Sequence, residues 1–184
     1  MRLSIAIVLF AASVLLPSYS MAQSGPGCGP TNVKFDVKTE KAQNNAPPPE
    51  PGKALVFFLQ DDFNFKSSPR PTTRFGIDGN WVGATHANSY FFTYVDPGEH
   101  HICASWEPMI KLSSPAMRTT AAAHLIAEAG KSYYFRARDV TKTQNPFGSG
   151  DIISEAEVVL KPLDSDEAQV LMNTFSFSSS NPKK

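Results

Sequence analysis

Between Trp81 and Trp106 the chain places two aromatic and β-branched runs, Ser89-Tyr90-Phe91-Phe92-Thr93-Tyr94-Val95 and His100-His101-Ile102-Cys103-Ala104-Ser105-Trp106, on either side of Asp96-Pro97-Gly98-Glu99. Runs this short and this branched favour strands, and a Pro-Gly group between them turns the chain. The stretch therefore predicts a central β-meander. Thr72 to Ile77 and Trp81 to Ala84 are joined through Asp78-Gly79-Asn80, where Asp-Gly supplies the positive φ values of a tight hairpin. Two more hairpins are expected, through Thr85-His86-Ala87-Asn88 and through Asp96-Pro97-Gly98-Glu99.

The same reasoning extends along the chain. Val33 to Glu40 alternates apolar and charged residues and reads as a half-buried strand, followed by a Pro-rich linker from Lys41 to Gly52. Lys53 to Gln60 is continuously apolar, as a strand covered on both faces would be. Asp61 to Pro71 reads as a polar loop and Glu107 to Met117, with Pro108 and Pro115, as a loop or irregular crossing. The alanine-rich Arg118 to Gly130 meets the evident strand Ser132 to Val140 at hairpin spacing and is itself assigned as strand. A loop from Thr141 to Gly150 precedes a strand from Asp151 to Lys161. Pro162 to Asn173 then has an Asp or Ser cap, acids in its first turn and apolar residues at Ala168, Leu171 and Met172, which predicts one short helix. The serine-rich tail from Thr174 to Lys184 is expected to fray.

Without βαβ alternation these elements predict an all-β, mainly antiparallel fold. It should be a single β-sandwich or flattened barrel of about eight or nine strands with one short C-terminal helix. The division expected is 1–22 signal peptide, 23–52 N-terminal strand and linker, 53–173 β-sandwich domain and 174–184 disordered tail.

Arg2 precedes an apolar run from Leu3 to Leu16 that Pro17 ends, and Ser20-Met21-Ala22 offers small residues where a signal peptidase reads them. Cleavage is expected between Ala22 and Gln23, an uncleaved N-terminal anchor being the alternative. Gly25-Pro26-Gly27 lacks the branched apolar residue of a lipobox, so Cys28 is not expected to carry a lipid. The signal peptide implies export to the periplasm or beyond, and since no second run approaches the length of a membrane helix, the mature chain from Gln23 is expected to be soluble once released. Loss of residues 1–22 changes 17 basic and 17 acidic residues to 16 and 17, a net charge of −1. A neutral chain without a basic cluster excludes nucleic acid as a partner.

Cys28 and Cys103 are the only cysteines. In an oxidising compartment an even pair reads as a disulfide, closing a loop of about 75 residues; the alternative is a buried Cys103 and a free Cys28 thiol. No catalytic or cofactor site follows. Asp61-Asp62 reads as solvated, since adjacent residues of extended chain point apart and no partner acid follows at useful spacing. His100 and His101 project to opposite faces of a strand, so a metal would need His86 or His124, with an acid such as Glu99, alongside one of them. Gly148-Ser149-Gly150-Asp151 lacks the strand-to-helix frame of a nucleophile elbow, and Cys103 near His101 is expected to be oxidised.

The chain resembles the bacterial family of domain of unknown function 2846. The resemblance rests on Ala54-Leu55-Val56-Phe57-Phe58, on Ile77 to Gly83 with Asn88-Ser89-Tyr90-Phe91, on Asp96-Pro97-Gly98-Glu99-His100 and on Ala129 to Arg136, and spans roughly Lys53 to Met172. It implies an exported or lipid-anchored β-sandwich without family catalytic residues to carry over. Two functions compete. The first is a non-enzymatic envelope module binding a protein or glycan through a sheet face or through Phe63, Phe65, Tyr94, Trp106 and Phe147, which could instead complete the core. The second is a small metal-binding protein or hydrolase using His86, His100, His101 or His124.

Overall fold

The computed structural model describes residues 28–41, 47–65, 70–107, 116–144 and 152–184. The proposed signal peptide with its Ala22/Gln23 cleavage point, together with Phe147 and Gly148 to Asp151, lies outside these residues.

Eleven strands and one helix are present among the described residues: β1 (Phe35–Glu40), β2 (Ala54–Asp61), β3 (Thr72–Ile77), β4 (Asn80–His86), β5 (Ser89–Val95), β6 (Gly98–Trp106), β7 (Ala116–Arg118), β8 (Thr120–Ala127), β9 (Ser132–Gln144), β10 (Ile152–Leu163), α1 (Ser165–Met172) and β11 (Ser176–Pro182). They form a seven-stranded sheet of order β1-β11-β5-β2-β9-β10-β7 and a four-stranded sheet of order β4-β3-β6-β8. The small sheet is antiparallel throughout, whereas the large one has parallel pairs at β2/β9, β11/β5 and β10/β7. Each sheet keeps its own edges, so the fold is a sandwich and not a closed barrel.

The first hairpin forms as the turn chemistry requires. Asp78 and Gly79 have φ of 50° and 80°, the two positive values of a type I′ turn between β3 and β4. The central meander does not form. Although β4, β5 and β6 are consecutive, β5 belongs to the large sheet and its neighbours to the small one. The turns after His86 and Val95 reverse the chain but carry it across the sandwich. Their Pro, Gly and Asn residues fix a change of direction, not which strand supplies the hydrogen bonds.

Between the sheets, Ala54, Val56 and Phe58 of β2 meet Phe75 and Ile77 of β3, Ile102, Ala104 and Trp106 of β6, and Phe135 and Ala137 of β9. Phe58 is central, its ring 4.8 Å from that of Phe75 and 5.3 Å from that of Phe91. Alternate residues Leu55, Phe57 and Leu59 face the other way into a second cluster with Tyr90, Met172 and Phe175. Strand β2 is buried on both faces because α1 and the segment after it cover the outer face of the large sheet over β2. Burying a side chain such as Phe57 contributes about 2 kcal/mol, which is why this run is uninterrupted by polar residues.

Asp164 caps α1, accepting hydrogen bonds from the backbone N–H groups of Asp166 (3.0 Å) and Glu167 (2.8 Å). The Asp164→Ala variant should lose about 1 kcal/mol of stability in urea unfolding. An unchanged midpoint would mean that the cap is dispensable once Ala168 and Met172 are packed.

The tail does not fray. β11 lies between β1 and β5, pairing antiparallel with the first from Phe35↔Pro182 to Glu40↔Phe177 and parallel with the second at Ser176↔Ser89 and Phe177↔Tyr90. Ladder bonds and the contact between the Phe177 and Tyr90 rings, 5.6 Å apart, hold a segment whose serines suggested solvent. β7 likewise occupies the end of a stretch expected to be loop, and β9 runs to Gln144, beyond the expected Val140.

Candidate functional site

The N-terminal segment crosses the outer face of the small sheet. Cys28 and Cys103 are disulfide-bonded, with Cα atoms 5.3 Å apart. Arg74 on β3 donates from Nη1 to the carbonyls of Thr31 (3.1 Å) and Val33 (2.6 Å), and its guanidinium lies 4.4 Å from the Trp81 ring centroid. Trp81 in turn donates to the Pro30 carbonyl at 2.8 Å. Gly76 makes the crossing possible, since a Cβ there would strike the Cys28 carbonyl. These residues seal Cys103 rather than expose a thiol.

The four histidines do not converge. His100 Nδ1 bonds Asp78 Oδ2 at 2.7 Å and its Nε2 bonds the Asp96 carbonyl at 2.8 Å. Burial opposes the charge on His100, but these two partners outweigh it and raise its pKa. His101 faces His124 across β6 and β8, ring centroids 5.8 Å apart, and His124 bonds Glu99 at 2.9 Å. His86 approaches Thr72 on β3. Among the described residues no group of three or more His, Cys, Asp or Glu side chains is arranged to hold a metal ion.

Of the aromatics considered for a surface patch, Phe65 and Trp106 are buried, with their rings 5.7 Å apart edge to face. Tyr94 is half-buried and Phe63 is exposed, so these described side chains form no common patch.

The acid pair Asp61-Asp62 is not solvated. The two carboxyls point apart, but Asp61 goes to the outer face of the large sheet and Asp62 into the sandwich, where it is wholly buried with Asp139 of β9. Asp139 is the partner acid that linear spacing concealed. Gln60 Nε2 donates to Asp62 Oδ1 (2.8 Å) and Asp139 Oδ2 (2.9 Å), Trp106 Nε1 to Asp139 Oδ1 (2.8 Å), and Thr85 Oγ1 to Gln60 Oε1 (2.7 Å). Burial first, and then the charge of Asp62, push the Asp139 carboxyl up to about 9; burial also raises Asp62. Asp139 keeps a proton at neutral pH and donates it to Asp62, whose Oδ2 is otherwise buried without a partner. Sealed at 0 % exposure, the pair meets no substrate and serves as a polar clamp between strands.

An open cavity of about 260 Å³ lies on the outer face of the large sheet, lined by Arg136, Arg138 and Val140 of β9 and by Val159 and Lys161 of β10. The i, i+2 spacing puts the β9 residues on one face, opposite the face carrying Phe135 and Ala137 into the core. Register sets Arg136 beside Lys161 and Arg138 beside Val159. Asp61, 7 % exposed, lies among the cations, with Oδ2 at 3.5 Å from Arg138 Nε and 3.9 Å from Arg136 Nη1. Glu167, in the first turn of α1, accepts from Arg136 Nη1 at 2.7 Å. The sequence reading missed this groove, although Arg136-x-Arg138 on an evident strand was its visible half.

Fold and groove together define a β-sandwich module with a buried acid pair between its sheets and an open, positively charged groove on the outer face of the large sheet. The chain belongs to the family described as protein of unknown function (DUF2846), which matches residues 50–151. That match contains Asp61, Asp62, Asp139 and the arginines of the groove and stops before β10, so Val159, Lys161 and α1 lie outside it. No curated protein and no solved structure matches the chain.

Proposed function

We propose that this chain is an exported, non-enzymatic β-sandwich module that binds a component of the cell envelope, protein or glycan, through the outer face of its large sheet. The groove between β9 and β10 carries the reading, because it leaves that face open where α1 and the segment after it leave the β2 side covered. Export is supported by the leader-like residues 1–22 and by a disulfide, a bond that persists in oxidising compartments. Asp139, whose carboxyl is pushed up to about 9, and its neighbour Asp62 are closed to solvent, which favours binding over catalysis.

Intact mass spectrometry and cell fractionation test the proposal together. A mature chain beginning at Gln23, two hydrogens lighter than its dithiol form and sedimenting with the envelope, is the expected result. The Arg138→Glu/Lys161→Glu variant should move to the soluble exported fraction. A full-length, reduced cytoplasmic protein would refute export, and equal sedimentation of variant and wild type would refute the sheet face as binding surface.

A further inference from the structure

Resting on that reading of the outer face, we infer that the β9/β10 groove is an oxyanion site that takes the phosphate or carboxylate of a single sugar unit. Arg136 and Lys161 are direct cross-strand neighbours on one face, an arrangement of like charges that costs stability; Glu167 and Asp61 offset it at Arg136, and Lys161 is left without such an offset. Lys161 has no acid within ion-pair distance among the described residues. Arg138 Nε is buried without a hydrogen-bond partner, since Asp61 at 3.5 Å supplies charge but no aligned acceptor. Asp61 and Glu167 orient the Arg136 guanidinium, and Glu157, opposite Val140 on the same face, is paired with Arg118 at 3.7 Å, which leaves four cations against three carboxylates, a local excess of positive charge on a chain that is neutral as a whole.

Guanidinium groups match carboxylate and phosphate oxygens in planar, paired hydrogen bonds, and Lys161 adds a point charge at the rim. Val140 and Val159 give the groove an apolar wall suited to the carbon-bound face of a sugar ring. Its volume, about 260 Å³, lies below the range that encloses drug-sized ligands and suits one residue of a glycan. An acidic peptide would satisfy the charge but needs a longer track, so the sugar-borne oxyanion is the occupant the geometry favours.

The test is an NMR-monitored titration of the mature oxidised chain with glucose 1-phosphate, glucuronate, neutral glucose, inorganic phosphate and hexaglutamate, at low and high salt. Glucose 1-phosphate or glucuronate should shift backbone amides of residues 136–140 and 159–161, more weakly at high salt, with glucose inert and inorganic phosphate weaker than its sugar ester. Lys161→Gln, an exposed change that leaves the fold intact, and Arg138→Gln should each weaken binding about tenfold. Absence of anion binding by the wild type, equal binding by Lys161→Gln, a preference for free phosphate or hexaglutamate, or shifts elsewhere would each overturn the inference. Envelope sedimentation without oxyanion binding refutes this inference alone, and oxyanion binding by a cytoplasmic protein refutes the export reading alone.

Discussion

Opening the Cys28–Cys103 bond should lower the free energy of unfolding by about 4 kcal/mol, the chain-entropy value for a loop spanning 75 residues. The bond also completes the anchoring of the N-terminal segment, because Arg74 and Trp81 hold the carbonyls of Pro30, Thr31 and Val33 beside it. Urea unfolding of the Cys28→Ala/Cys103→Ala variant, compared with oxidised wild type, checks the prediction. The midpoint should fall while a native baseline remains, since the two cores pack strands, α1 and connecting segments that the bond does not build. A loss below about 1 kcal/mol would mean that the denatured chain is already compact around this segment.

The second large effect is expected at the sealed acid pair. Asp139 has a folded pKa of about 9, against an ordinary carboxyl value near 4 in the unfolded chain. Between these values the folded state holds one proton more than the unfolded state, so stability falls as pH rises, by about 1.4 kcal/mol per unit for one proton. The contribution is fully present below the unfolded pKa and is lost as pH climbs through about 9. Asp62→Asn removes the charge that repels Asp139 and can place an amide donor at the position of Oδ2, which has no partner besides the Asp139 proton, while its Oδ1 still accepts from Gln60. This variant should be about 2 kcal/mol more stable than wild type at pH 9, with a flatter slope from pH 5 to 9. Urea midpoints across that range decide it: parallel wild-type and variant profiles would show that the two carboxyls do not share a proton.

Local chemistry carried the sequence reading where structure is local. Asp78-Gly79 could form little other than a I′ turn, Asp164 little other than a cap, and the unbroken apolar run of β2 required cover on both faces. The reading failed where partners are distant. The turn at Pro97-Gly98 has hairpin composition, yet β5 pairs with β2 and β6 with β3 and β8. Ser176 to Pro182 has no apolar alternation, and its strand exists because β1 and β5 supply ladder partners on both sides. The alternation rule separated Asp61 from Asp62 correctly, but only the parallel pairing of β2 with β9 shows what each one meets. That pairing brings Asp139 to Asp62 and sets Arg136 and Arg138 beside Asp61. Half of the groove was readable as Arg136-x-Arg138-x-Val140; Lys161 joined it through a register that no short segment specifies.

Strand β11 also dictates an order of events. Among the described residues β1 comes first in the chain and enters the large sheet only through β11, which lies at the far end of the same stretch. The parallel partners β2 and β9 are likewise separated by six intervening strands. The pairing of β1 therefore waits on Ser176 to Pro182, whereas β5-β2-β9-β10 and the small sheet can pair before it. The N-terminal edge of the large sheet is thus the part of the fold that closes through the most distant contacts.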